Sequence, residues 1–295
     1  MEEEKVIALG FFDGVHIGHG ALLRKTMERA RELNALPAAF TFDRAPKEFV
    51  TGVPVPLLTS VAERAALIRE QYGIGRTIVA PFDRAMMTRS AREFLEELLV
   101  GRYRAVHLVA GHDYRFGYKN EGTPELLRAW CAERGVGCDI IPKVELRGVT
   151  VSSTHIRALA GEGYMEAAAA FLGHPYALTG TVRHGKHLGT EELFPTVNLM
   201  PEPWRALPRF GVYAAHALPS GSACAGVTNV GVRPTVEDDD RVTVETHLVG
   251  FDGDLYEKEI RVEFLRYLRP ERKFGSMAEL HGQIERDIAA ARETQ

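Results

Sequence analysis

Short apolar runs alternate with stretches of helical period over the first half of the chain. Val6–Leu9, Ala38–Phe42, Thr77–Phe82, Ala105–Ala110 and Asp139–Val144 read as buried strands. Between the first two, Leu22, Leu23, Met27, Ala30 and Leu33 recur on one helical face. Strands alternating with helices predict a parallel sheet with crossover helices, a doubly wound domain. Chain order alone leaves the strand order open. Helix starts are marked by two capping-box patterns, Ser60 with Glu63 and Ser90 with Glu93, and by Thr123 followed by Pro124.

From about Thr179 the period changes to two. Val242, Thr243, Val244 and Glu245 alternate, and turn-rich stretches such as Leu218–Gly221 and Phe251–Asp254 separate the alternating segments, which predicts antiparallel strands in a small barrel. Between the two textures Ser153–Leu172 is helical and alanine-rich, with Gly161 and Gly163 breaking it into a pair. Ser276 and Glu279 cap a last helix with an apolar stripe of Leu280, Ile284 and Ile288. Glu237–Asp240 reads as a solvated hairpin tip. The expected boundaries are 1–157, a helical connector 158–175, and 176–295.

At 295 residues two domains are the default, each able to bury its own core. A formal net charge of -4 gives no broad basic surface for a nucleic acid. No apolar run reaches the length of a bilayer span, and Met1–Lys5 lacks the basic and apolar regions of a signal peptide, so a cytoplasmic location without a membrane partner is expected. Cys131, Cys138 and Cys224 form neither an even framework nor a zinc pair and are expected to be free thiols.

The chemistry concentrates where strands end. Gly10-Phe11-Phe12-Asp13-Gly14-Val15-His16-Ile17-Gly18-His19 puts glycines and two histidines at a strand-to-helix joint. Glycine lets a ligand approach the backbone, and the helix start offers free N–H groups and a positive dipole end. His16 and His19, three apart, can donate to phosphate oxygens from one side of the turn. Ser152-Ser153-Thr154-His155-Ile156-Arg157 is a second helix start, with hydroxyls and an arginine one turn in. Gly111-His112-Asp113-Tyr114-Arg115-Phe116-Gly117 follows the fourth strand at its carboxyl end, where open α/β sheets bind ligands. Taken singly, each also reads as an ordinary turn, cap or connection.

Together, and in this order, these segments resemble the bacterial bifunctional riboflavin kinase/FAD synthetases. The resemblance implies a Rossmann-like nucleotidyltransferase domain followed by a riboflavin kinase-like antiparallel β-barrel with a closing helix. It assigns Gly10, Phe12, Asp13, Gly14, Gly18, Ser152, Ser153, Thr154 and Arg157 to ATP phosphates with His16 and His19 as catalytic residues, and Asp113, Arg115, Phe116 and Gly117 to the flavin. In the second domain His184, Gly185 and Lys186 correspond to ATP-binding residues, Thr196 and Asn198 of Pro195-Thr196-Val197-Asn198 to ligands of Mg²⁺ with ATP, and Glu245 to the general base. Thr196 and Asn198 offer the hard oxygens that Mg²⁺ takes. The implied reactions phosphorylate riboflavin to FMN and adenylylate FMN to FAD.

Three segments depart from the family pattern. After the second strand, Phe42-Asp43-Arg44-Ala45-Pro46 lacks the usual histidine and adds a cation. The kinase loop carries Leu188, Thr190, Glu192 and Leu193 where arginine and glycine are common, and Glu257 stands at a usual glycine. A chain with one impaired domain, or a flavin-binding module without turnover, are the alternatives. A fragment of a class I aminoacyl-tRNA synthetase fits poorly, because no basic bias accompanies the histidine signature.

Overall fold

The computed structural model describes residues 3–182, 196–219, 223–233, 241–251, 253 and 255–293. Five strands, β1 (Lys5–Leu9), β2 (Leu36–Phe42), β3 (Arg76–Ala80), β4 (Ala105–Gly111) and β5 (Gly137–Ile141), pair in parallel in the order β3-β2-β1-β4-β5. The sheet is covered on both faces, so β1 is buried along its whole length. On one face Val6, Ala8, Ala39 and Val109 meet Leu22, Leu23 and Ala30 of α1 (Ile17–Glu32). Leu67 and Ile68, which belong to the helix Val61–Tyr72, pack there too. On the other face Ile7, Leu9, Phe40 and Leu108 meet Phe94, Leu95, Leu98 and Leu99, together with Leu127 and Cys131 from Pro124–Arg134. The apolar runs and the helical-period faces therefore interlock as the sequence implies.

The short helix α2 (Pro46–Thr51) precedes α3 (Val61–Tyr72), and α4 (Arg84–Thr88) precedes α5 (Ala91–Glu93). The chain continues from α5 in π geometry over Phe94–Arg102, then after β4 enters α6 (Pro124–Arg134). Both expected capping boxes form, at Ser60 and Glu63 and at Ser90 and Glu93. Two strands end earlier than the apolar runs suggest, at Ala80 and Ile141, because Pro81 and Pro142 follow and a proline has no N–H to continue the ladder. Leu33 falls at the end of α1 and is half exposed. A small hairpin, β6 (Glu145–Leu146) with β7 (Val149–Thr150), completes this unit.

The chain divides into two units, Met1–Ser153 and Thr154–Gln295. Of the helical pair, α7 (Ser153–Glu162) runs through Gly161, and the break to α8 (Met165–Leu172) comes at Gly163, whose φ of 84° suits glycine. The second unit's sheet comprises β8 (Tyr176–Thr181), β9 (Thr196–Leu199), β10 (Gly211–Pro219), β11 (Cys224–Arg233), β12 (Arg241–Leu248) and β13 (Glu259–Arg269). They pair antiparallel in the order β8-β13-β10-β11-β12-β9.

The sheet curls into a partly closed barrel. Its two edge strands approach closely enough that a methyl group at Gly180 would stand 3.6 Å from Leu199 Cδ2. Tyr213, Val230, Val244, Val262 and Phe264 fill the interior. Ile288 and Ala291 of α9 (Met277–Arg292) cover Val212, Ala214, Val227 and Leu268 on the outer face, and Arg269 pairs with Asp287 at 2.7 Å. Glu237–Asp240, expected as a hairpin tip, lies outside the described residues. All three cysteines are free thiols, and no helix among the described residues is long and apolar enough to cross a membrane.

Candidate active sites

In the first unit the strand order reverses between β1 and β4, so the carboxyl ends of these two strands flank the crevice where an open α/β sheet takes its ligand. The glycine-histidine signature leaves β1 there, and Gly111–Gly117 leaves β4. The signature loop is unusual in its backbone: Phe12, Gly14 and Val15 have φ of 57°, 78° and 42°. Two of these are not glycine, a conformation that persists only where the surroundings enforce it.

The surroundings do enforce it. Asp13 Oδ1 accepts from Leu58 N at 2.8 Å, Thr59 N at 3.1 Å and Thr59 Oγ1 at 3.3 Å, and Gly14 N donates to Thr59 Oγ1 at 2.9 Å. The Phe11 carbonyl accepts from Arg64 Nη1 at 2.6 Å and from Thr41 Oγ1 at 2.8 Å. Ser153 Oγ donates to the Asp13 carbonyl at 2.9 Å, so Ser153 is fastened to the signature loop. Asp13 is thus engaged in holding the loop, and Phe12 is buried in the core with its ring edge-on to His19.

The histidines follow from that loop. His16 is the N-cap of α1, and its Nδ1 accepts from His19 N at 3.1 Å. A ring nitrogen that accepts carries no proton, so neutral His16 bears its hydrogen on Nε2. The two imidazoles stack with centroids 3.5 Å apart, a geometry that opposes protonating both. The pKa of His19 is held well below the ordinary 6.5, first by burial, then by His16 and Arg64. Its Nδ1 is enclosed without a partner among the described residues. Gly18 is needed for this approach, since a β-carbon there would stand 3.1 Å from His16 Nδ1; at Gly10 one would stand 3.0 Å from the Phe12 ring.

The loop after β4 divides in two. Asp113 and Arg115 are exposed, with Arg115 Nη1 on the Tyr114 carbonyl. Phe116 turns into the core against Phe94, and Gly117 sits at φ 74° with room for no side chain, because a β-carbon would lie 2.6 Å from the Ala91 nitrogen. Burial raises the pKa of the Tyr114 phenol. Arg44 is exposed, lies over the Phe49 ring at 5.9 Å and is 3.8 Å from Asp43; Ala45 is the buried N-cap of α2. In α7 Arg157 Nη2 donates to Thr154 Oγ1 at 3.1 Å, and Ser152 is half-buried at the approach to that helix.

In the second unit register does the assembling. Glu245 on β12 is directly opposite Asn198 on β9 and Asn229 on β11, and His247 is opposite Thr196. Directly opposed residues share a face, so Asn198, Glu245 and Asn229 form a row across three strands, with Thr196 and His247 beside it. The Oδ1 atoms of Asn198 and Asn229 are both buried without a partner among the described residues, while Asn229 Nδ2 donates to Glu271 Oε1 at 2.9 Å. His184, Gly185, Lys186, Leu188, Thr190, Glu192 and Leu193 lie outside the described residues.

Sequence reasoning missed four residues of these sites. Thr59 and Arg64 belong to the capping segment of α3, far from the signature; only the capping box beside them was legible. Asn229 lies on β11, outside the motifs singled out above, and Glu271 follows the last strand.

A 3-2-1-4-5 parallel sheet with histidines at its switch point, joined to a curled antiparallel sheet carrying a carboxylate between two amides, defines a two-domain transferase of nucleotide chemistry. The family model described as FAD synthetase matches residues 1–155, and that described as riboflavin kinase matches residues 172–295. A bifunctional riboflavin kinase/FMN adenylyltransferase from Pseudomonas fluorescens is 36% identical over 287 residues, 97% of this chain and 92% of that protein. One of the same description from Escherichia coli K12 is 36% identical over 294 residues, 99% and 93% of the two chains. A crystal structure described as a macrolide-efflux protein from Streptococcus pneumoniae superposes with a TM-score of 0.88 at 27% identity, covering 100% of this chain and 96% of that one. The chain belongs to the family of bifunctional riboflavin kinase/FMN adenylyltransferases.

Proposed function

We propose that the C-terminal unit phosphorylates riboflavin to FMN and that the N-terminal unit adenylylates FMN to FAD, with ATP as donor in both and pyrophosphate released in the second. The observation that supports this most is the convergence of residues distant in sequence: the clamped histidine turn at the switch point of one sheet, and the Asn198–Glu245–Asn229 row of the other.

In adenylyl transfer a phosphate oxygen of FMN attacks the α-phosphorus of ATP as the bond to pyrophosphate breaks. No enzyme nucleophile is required, so positioning and charge stabilisation carry the rate. Nε2–H of His16, His19 and the free N–H groups at the start of α1 supply donors for the phosphates. The resemblance adds Ser152, Ser153, Thr154 and Arg157 to the same task, and the exposed Asp113 and Arg115 to the flavin.

In the kinase reaction Glu245 accepts the proton of the ribityl 5′-hydroxyl as that oxygen attacks the γ-phosphorus. Thr196 and Asn198 would hold Mg²⁺, and the buried, unpartnered Asn198 Oδ1 suits a hard cation. When bound, the cation neutralises charge on the ATP phosphates. We assign the enzyme to the cytoplasm, where ATP is at hand.

The test is product analysis. Purified protein is incubated with Mg-ATP and riboflavin, and separately with Mg-ATP and FMN, and the flavins are resolved by chromatography. FAD from riboflavin is the expected result. FMN alone would mean a kinase only, FAD from FMN alone a transferase only, and flavin binding without product would overturn the reading.

A further inference from the structure

Arg64 is fully buried in the first turns of α3, and its hydrogen bonds among the described residues all go to neutral oxygens: Phe11 O at 2.6 Å, Thr41 Oγ1 at 2.9 Å and Ser60 O at 3.4 Å. Its guanidinium stacks on the Phe11 ring at 4.4 Å, and its Nη2 is buried with no acceptor among the described residues. A neutral amide could donate to two oxygens of this kind. Burying a full charge is costly, and Asp13, Asp43 and Glu63, which favour it electrostatically, offset that burial only in part, so the charge needs a reason beyond those bonds. The loop it holds carries His16 and His19, whose ligand in the reading above is polyanionic.

We infer that Arg64 is a positioning residue for adenylyl transfer: it fixes the left-handed signature loop through the Phe11 carbonyl and sets a buried positive charge next to the histidine turn. The inference rests on the proposed adenylyltransferase reading. Two effects follow from the one side chain. The clamp keeps Phe12–Val15 in a conformation that the chain alone would leave, and so keeps the His16 and His19 rings stacked. The charge attracts phosphate and opposes protonation of His19. The groups facing Arg64 are Asp13 from the signature loop, Asp43 at the end of β2, Glu63 on α3 itself, and His19 of α1 stacked on His16. The three carboxylates work against loss of its proton, and burial lowers its pKa to about 10, which leaves it charged at neutral pH.

The experiment measures kcat and KM for FAD formation from FMN against pH in the wild type, R64Q, R64K and T41V, with riboflavin phosphorylation as the control in each full-length sample. T41V removes the other donor to Phe11 O and leaves the charge. R64Q is expected to lower adenylylation kcat about 10²-fold, as displaced catalytic groups do, and to move the acid limb of the profile upward as His19 gains a proton more easily. T41V should lower kcat without moving that limb. R64K should keep the limb in place and recover part of the rate. R64Q with wild-type kcat and pH profile overturns the inference, as does an R64Q profile that matches T41V. If R64Q does not fold, R64K decides: wild-type kcat, or a shifted acid limb, overturns it. A wild type that makes no FAD from FMN overturns the reading of the site itself, a result distinct from an active wild type indifferent to residue 64.

Discussion

In the first unit the stacked histidines, His16 and His19, ride on a loop of left-handed residues that β2, the Leu58–Arg64 segment and Ser153 must hold from outside. In the second, Asn198, Glu245 and Asn229 are assembled by strand pairing alone. The first arrangement links activity to local stability, because the groups that hold the loop are the groups that enforce its strained backbone. The second separates them, since a ladder is maintained by its main chain and tolerates a change of side chain on one face. Fixing reacting groups by register and fixing them by a clasp therefore predict different failures on mutation.

The largest effect expected is at Glu245. Glu245→Gln keeps size and hydrogen-bonding capacity but cannot take the proton, and should lower riboflavin phosphorylation about 10²–10⁴-fold with FAD formation from supplied FMN unaffected; unchanged FMN output would remove Glu245 as the base. Thr59→Val probes the clasp. It deletes one donor to Asp13 and the acceptor of Gly14 N, and should cost the first unit about 1–3 kcal/mol while FAD formation falls and phosphorylation persists. Trp130 and Trp204, one in each unit, allow denaturation to be followed separately in single-tryptophan variants. Equal losses of both activities in Thr59→Val would break the comparison.

Gly117→Ala tests the neighbouring loop. A left-handed φ and a β-carbon 2.6 Å from the Ala91 nitrogen should destabilise the first unit by about 1–3 kcal/mol, read from the Trp130 transition; a wild-type midpoint would contradict the tight seat.

The smallest effect is with pH. Well above 6.5 His19 is neutral in both folded and unfolded chains. As pH falls below that value the unfolded chain binds a proton that the folded ring refuses, so stability drops from 6.5 down towards the depressed folded value. The slope from this one residue is at most about 1.4 kcal/mol per pH unit. Denaturation of wild type and His19→Gln between pH 5 and 7 should show that slope in the wild type alone.

What the sequence disclosed was local. The β1-to-α1 joint, both capping boxes and the alternation of β12 depend on residues a few positions apart, where period and capping chemistry act, and all were legible. The overrun of two strands beyond Ala80 and Ile141 came from weighing apolar character above the missing N–H of the following prolines. The placing of the helix break at Gly161 as well as Gly163 came from treating both glycines alike, although only Gly163 takes a positive φ. Arg64 and Thr59 were invisible because their partners lie some 45 to 53 residues away, and nothing in a capping segment announces what it will clasp. Asn229 joined Glu245 through strand register, which pattern alone does not specify between two strands of similar alternation.

Gly117 belongs to a tighter knot than its own φ suggests. Phe116 and Gly122 exchange backbone hydrogen bonds, Glu121 Oε1 accepts from Ala91 N at 2.6 Å, and Gly117 presses on the same residue, so the turn after β4 and the start of α5 form a single fastened piece. A ligand that reaches the exposed Asp113 and Arg115 meets a surface already ordered when the protein folded. Little chain entropy is left to lose on binding, and the association rate there should reflect diffusion and charge instead of a wait for the loop to arrange itself.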